Sequence, residues 1–163
     1  QKMIFSEFIK IKKVFFMKVN AKLKEGFEDL GFPKYETENS AAIDLRAAIE
    51  ETIILKPGEH KLISSGLFME IPQGYNLRIT PRSGWAYKHG ISIVNSPGII
   101  DADYRGEIGV ILINHGKKDY VIERGDRIAQ ATLSKFEQAE FTAVEELSQT
   151  KRGDGGFGST GKN

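Results

Sequence analysis

The sequence predicts an all-β domain, and three observations carry that expectation. Turn signals recur at short intervals, at Pro57-Gly58, Pro72-Gln73-Gly74, Ser96-Pro97-Gly98, Gly116-Lys117-Lys118-Asp119 and Arg124-Gly125-Asp126. The runs between them are rich in β-branched and aromatic residues, which fit a pleated, half-buried surface. Long amphipathic helices are missing from the pattern. Many short strands bounded by turns make a sandwich or barrel rather than alternating strand–helix units.

Taken in order, residues 1–16 come first and are apolar and basic. Ile4, Phe5, Phe8, Ile9, Ile11, Val14, Phe15 and Phe16 are broken by Lys10, Lys12 and Lys13. A signal peptide needs an unbroken apolar core and a small-residue cleavage site, and this segment has neither. It is expected to be an N-terminal extension outside the core, with an amphipathic membrane contact as the sharper alternative. The core is expected to span 17–150. Ala41 to Arg46 reads as an apolar strand carrying a lone acid, Asp44. Thr52 to Leu55 and Tyr75 to Ile79 are strands. Ser83 to His89 has room for one short helix, with Ser83 as its cap. Ile91 to Val94 and Ile108 to Ile113 are strands again, and Gly125 to Gln130 is a turn leading into another.

Residues 151–163 form a glycine-rich C-terminal arm, floppy when free. A structureless end is the plainer alternative. One aromatic, Phe157, sits among the glycines, and Arg152, Ser159 and Thr160 supply phosphate-type donors. That combination suits a lid that orders on a ligand. Gly156 to Lys162 has the spacing of a phosphate-binding P-loop, but Asn163 stands where Ser or Thr is needed. A P-loop also needs a strand before it and a helix after it, so a P-loop NTPase is not expected.

Composition narrows the function classes. The 163 residues suit one domain. Basic and acidic residues nearly balance, 23 against 22, which argues against a nucleic-acid binder. With no cysteine, disulfides, zinc–thiolate sites and a Cys nucleophile are excluded. His60, His89 and His115 are far apart in sequence, so a His-based metal site is not expected. No stretch approaches the ~18 apolar residues of a membrane span, and the lack of disulfides suits the expected cytoplasmic location.

Four clusters have chemical potential. The densest runs from Asn95 through Gly98, Ile99, Ile100, Asp101, Asp103 and Tyr104 to Glu107. Asp101 and Asp103 are spaced i, i+2, which in an extended chain puts both on one side. The segment would serve as a polar hairpin loop or as a general base beside a nucleoside site. Phosphoanhydride hydrolysis needs such a base to orient an in-line water. Arg82-Ser83-Gly84 suits a phosphate, or a turn with a helix cap. Asp44 in its apolar strand is costly unless a cation is near, and an Asp–Arg pair on a strand edge would also satisfy it. Gln130 would donate to a phosphate or satisfy backbone groups.

These clusters, in this order, resemble the trimeric dUTP pyrophosphatase (dUTPase) family from about Met17 to the C-terminus. The tail Arg-Gly-x-Gly-Gly-Phe-Gly-Ser-Thr-Gly and the segment Gly-Ile-Ile-Asp-Ala-Asp-Tyr-Arg-Gly are the most specific parts. The resemblance implies a jelly-roll-like β-barrel, a homotrimer with active sites shared between subunits, and Mg²⁺-dependent cleavage of dUTP to dUMP and pyrophosphate. It implies that Asp101 activates a water for attack on the α-phosphorus and that Tyr104 packs against the sugar, leaving no room for a 2′-hydroxyl. Asn95 and the backbone of Gly98, Ile99 and Ile100 would read uracil in a tight hairpin, with Gly109 on its returning strand. Arg82, Ser83, Gly84 and Gln130 would hold phosphates. Asp44 would approach the metal through water, with the triphosphate itself holding Mg²⁺. Phe157 would stack on the base while Arg152, Ser159 and Thr160 close over the γ-phosphate. Neither a nucleic acid nor a membrane is expected as a partner.

Two residues depart from the family pattern. Ala42 stands where Gly is usual, and Trp85 where an aliphatic residue is commoner. Two rivals remain at this level. A dCTP deaminase shares the fold but usually carries an Arg-Ser-Ser-type segment, and a non-catalytic β-sandwich would bind a nucleotide without turnover.

Overall fold

The computed structural model describes residues 17–156. Within them the chain forms eleven strands, one short 3₁₀ turn and one α-helix. The strands are β1 (Asn20–Leu23), β2 (Ile43–Arg46), β3 (Ile53–Leu55), β4 (His60–Ser64), β5 (Leu67–Glu70) and β6 (Tyr75–Thr80). After the helix α1 (Ser83–His89) come β7 (Ile91–Ile93), β8 (Gly98–Ile100), β9 (Gly109–Asn114), β10 (Tyr120–Ile122) and β11 (Arg127–Lys135). All pairings are antiparallel, in sheets ordered β2-β11-β6-β8, β4-β9-β7, β1-β5 and β10-β3.

The expected all-β, jelly-roll-like barrel is what these sheets enclose. Leu45, Leu55, Ile63, Leu77, Ile91, Leu112, Ile122 and Ile128 meet in one core, each almost fully buried. Each such side chain contributes about 1.5–3 kcal/mol by leaving water. Alternation of burial along β9, one residue in and the next half out, is the period-two pattern of a strand with one face on the core. Buried Asn114 ends that strand. Its amide donates to the carbonyls of Leu55 and Lys118, both at 2.8 Å, and its Oδ1 accepts the Gly116 N–H at 2.8 Å. It therefore ties β3, β9 and the following turn together with no polar atom left over.

The helix lies where the sequence puts it, but its cap differs. Arg82, with extended backbone (φ −80°, ψ 128°), occupies the N-cap, and no side chain caps the helix. The expected role of Ser83 as cap is thus wrong, because the chain is already helical at Ser83. Gly90 closes the other end in the left-handed region at φ 71°. A side chain at Gly90 would also meet the Gly116 backbone nitrogen at 2.7 Å, so both φ and space demand glycine.

Two further differences bear on the site. Strand β11 is nine residues long and pairs on both edges, with β2 and β6. Strand β8 pairs with β6, whereas β9 pairs with β4 and β7. The expected hairpin of residues 98 to 109 is therefore a crossing between two sheets, not a ladder closed on itself. Asp101 and Asp103 are also not extended, since the Tyr104 N–H donates to the Asp101 carbonyl at 3.2 Å and makes a turn. Alternation along a strand cannot govern them there.

Candidate active site

The sheet β2-β11-β6 assembles a cationic cradle. Gln130 on β11 stands in register with Asp44 on one side and Thr80 on the other. Residues opposite each other in antiparallel strands share a face. Just beyond Thr80 the chain turns at Arg82. Its Nε lies 3.1 Å from Asp44, and its Nη1 donates to the Arg127 carbonyl at 3.1 Å. Arg127 Nη1 reaches the other Asp44 oxygen, also at 3.1 Å. A half-buried carboxylate is costly alone, and here two guanidiniums neutralise it.

Asp44 does not pair with its strand neighbour Arg46. That guanidinium donates to the Gly125 carbonyl at 2.9 Å instead. The cradle holds two cations against one close anion, with Glu36 more distant at 4.0 Å from Arg127. An anion added there would complete the pairing. Ser83 and Gly84 lie exposed in the first turn of α1, and nothing stands within 4 Å of where a Gly84 side chain would begin. That open backbone leaves room for close approach by a ligand.

Arg127 is a functional candidate that the sequence pattern hides. In a regular strand, residues 127 and 130 would face opposite sides. A register shift between Arg127 and Ala129 sets two β11 residues against one of β2 and brings Arg127 to the side of Asp44. Its place in the Gly125-Asp126-Arg127 turn was the available signal.

A second region is a cavity of about 220 Å³ between the sheets. Asn95, Gly98, Ile99, Ile100, Tyr104 and Gly109 all line it, and Ile79, Ile93 and Val110 supply apolar wall. Gly98 is packed at ordinary contact distance, since a side chain there would begin 3.4 Å from Asn95 Nδ2 and 3.5 Å from Ile79 Cβ. Tyr104 stands at the rim with its hydroxyl donating to the Glu107 carbonyl at 3.0 Å.

Glu107, also unforeseen as a site residue, braces this wall. Its carboxylate accepts the Ser64 hydroxyl and the Gly66 N–H, the latter at 2.9 Å, with Lys24 Nζ at 3.5 Å. Burial pushes its pKa up, but the Ser64 and Gly66 hydrogen bonds and the Lys24 charge outweigh that and hold it below the usual value of 4.5. Beside the cradle, Trp85 packs edge-on against Tyr120 at 4.9 Å between ring centres. Burial, then the Asp126 charge, raises the Tyr120 hydroxyl above its ordinary pKa, and Arg82 partly offsets them. The unusual Trp85 is thus accounted for by packing, while nothing in the structure explains Ala42.

Asp101 stands at the edge of the cavity between the sheets. It is exposed, lines a groove with Gln73, Gly74, Asp103, Phe136 and Gln138, and follows directly on Ile100 of the cavity wall, with its carbonyl accepting the Tyr104 N–H at 3.2 Å. Arg152 is exposed too, and its Nε donates to the nearby Gly155 carbonyl at 2.7 Å. Phe157, Ser159 and Thr160 lie outside the described residues. Among the described residues no cluster of three or more His, Cys, Asp or Glu side chains is arranged to hold a metal. Both oxygens of Asp44 already face guanidiniums, so they are not free as direct ligands.

Comparison with known proteins gives consistent matches. The family model described as dUTPase matches residues 28–161. A deoxyuridine 5′-triphosphate nucleotidohydrolase from Treponema denticola is 55% identical over 89% of this chain and 99% of its own. Another, from Nautilia profundicola, is 52% identical over 86% and 98%. Among solved structures, the dUTPase of Staphylococcus bacteriophage 80alpha with dUPNHPP is 29% identical, with a TM-score of 0.79 over 88% of this chain and 98% of that one. A variant dUTPase from phage phi11 of S. aureus, described with a structural Mg(II) ion, is 25% identical, with a TM-score of 0.72 over 80% and 99%.

Proposed function

Because this chain belongs to the dUTPase family and hydrolyses dUTP, we propose that it does so with base and sugar in the Asn95–Tyr104 cavity and the phosphates on the Asp44–Arg82–Arg127 cradle. The observation that carries this reading is convergence. Six residues singled out for base and sugar, spread from Asn95 to Gly109, line one cavity.

The base would meet Asn95 and the backbone of Gly98, Ile99 and Ile100, with Gly109 opposite. Thymine differs by one methyl. A wall of backbone and packed side chains rejects an added methyl better than a pocket rewards a missing one, because overpacking forces strain. Arg82, Arg127, Ser83, the open backbone at Gly84 and Gln130 would hold the phosphates. Asp101 would take a proton from the attacking water, which displaces pyrophosphate from the α-phosphorus in line and leaves dUMP.

The residues fit a Mg²⁺ that the triphosphate brings with it. The cradle offers cations and occupied carboxylates rather than a cage, and such an ion prefers phosphate oxygens and water. When bound, Mg²⁺ would offset phosphate charge, with Asp44 acting through water.

The same proposal includes a homotrimer. Phe141, Val144 and Leu147 are exposed on a stretch with no helix or strand, so a second copy would give them a partner. Residues 151–163 would then close over a site built by other subunits. Extension 1–16 and core 17–150 complete the proposed organisation, and a cytoplasmic location goes with it.

The test is pyrophosphate release from dUTP, dTTP and dCTP, with and without Mg²⁺ chelation, together with ammonia release from dCTP. Pyrophosphate from dUTP alone, lost on chelation, is expected. Ammonia from dCTP would instead favour a deaminase.

A further inference from the structure

We propose that Gly106 is a specificity-determining residue, which selects deoxyribose over ribose by fixing where the Tyr104 ring sits. The proposal rests on the reading of Tyr104 as the residue against the sugar. Tyr104 is 44% exposed, on a turn at the cavity rim. A ring hung on such a turn has two free torsions and would give way to a slightly larger sugar.

Two features of the chain remove that freedom. The Tyr104 hydroxyl donates to the Glu107 carbonyl at 3.0 Å, folding the ring back along its own segment. So folded, the ring occupies the space that a side chain at 106 would need. A Cβ on Gly106 would begin 2.5 Å from Tyr104 Cζ and 3.0 Å from Cε2. Gly106 is not among the glycines with positive φ, so its backbone would accept other residues. Only the ring demands glycine there.

The anchor of the ring is itself held. The Glu107 carboxylate is bound by Ser64, Gly66 and Lys24. The next residue is tied on both sides: the Ile108 N–H donates to the Leu67 carbonyl at 2.8 Å, and the Ile108 carbonyl accepts the Ser65 N–H at 3.2 Å. The residue that anchors the Tyr104 hydroxyl is thus itself tied to the β4–β5 turn through its side chain and its neighbour. A ring braced in this way rejects a 2′-hydroxyl by overlap, whereas an unbraced ring yields to it. Gly106→Ala pushes the ring off its anchor. The ring is half exposed, so it can move outward at little cost in stability.

The experiment measures kcat/KM for dUTP and UTP in the wild-type chain and in Gly106→Ala, Tyr104→Phe and Tyr104→Ala, with a melting temperature for each. In Gly106→Ala the dUTP-to-UTP ratio is expected to fall roughly tenfold or more, while the melting temperature stays within about 4 °C of wild type. Tyr104→Phe keeps the ring, loses the anchor and is expected to lower the ratio several-fold, which tests the bracing even if Gly106→Ala folds poorly. If Tyr104→Ala collapses the ratio while Gly106→Ala and Tyr104→Phe keep it, the proposal is overturned and Tyr104 remains the sugar wall. If Tyr104→Ala also keeps it, the placement of Tyr104 at the sugar falls, and the proposal with it.

Discussion

Asp101→Asn keeps the size of the side chain and removes its capacity to accept a proton. Since Asp101 is exposed in a turn and makes no side-chain hydrogen bond among the described residues, stability should hardly change. Turnover of dUTP is expected to fall by roughly 10²–10⁴-fold, the usual worth of general-base catalysis, while dUTP binding stays within a few-fold. Stopped-flow turnover beside calorimetric binding checks both, and near wild-type turnover would remove Asp101 as the base. Asp101, Tyr104 and Gly98 were singled out because they stand close together in one contiguous segment that resembles the family, since acids and glycines by themselves are common in turns. Arg127 and Glu107 were not. One reaches its site through a bulge, and the other acts through Ser64, Gly66 and Lys24, distant in sequence.

Among the elements, the β4–β5 turn depends on an ionised Glu107. Its folded pKa lies below the ordinary 4.5, so it contributes stability above that pH and loses it as pH falls through the folded value. Glu107→Gln should therefore flatten the acid side of a melting-temperature profile below about pH 5, while lowering stability at pH 7 by about 1–2 kcal/mol. Equal slopes in both proteins would show that another group sets acid stability. Strand β9 depends on Asn114 in a different way. Asn114→Leu leaves the buried Leu55 carbonyl, and the part-buried Lys118 carbonyl and Gly116 N–H, without their partner. The expected loss is about 3 kcal/mol or more, seen as a shift in the denaturation midpoint. Helix α1 and the strands at Tyr75, Ile91 and Gly109 follow local pattern closely. The edges β4 and β10 do not, since His60–Ser64 carries three exposed residues in a row and Tyr120–Ile122 is too short for a pattern.

For the whole molecule, the proposed trimer and closing arm predict that truncation after Thr150 leaves a folded trimer whose dUTP turnover falls by roughly 10²-fold or more. Light scattering and turnover on the truncated chain check the two halves separately, and normal turnover would make the arm dispensable. Co-expressing truncated and Asp101→Asn chains should recover activity in mixed trimers, since some sites then draw both intact parts from different subunits. Failure to recover any would count against shared sites. The sequence by itself determined the class of fold, the helix and the family, because turn chemistry and period-two burial are local and the motifs are contiguous. Only the tertiary structure decided that residues 98 to 109 cross between two sheets and that Asp44 pairs with Arg82 and Arg127 rather than Arg46. Only it put Gly106 under the Tyr104 ring. The physical reason is that register, bulges and side-chain packing depend on residues distant in sequence, whose spacing along the chain carries no record of their meeting.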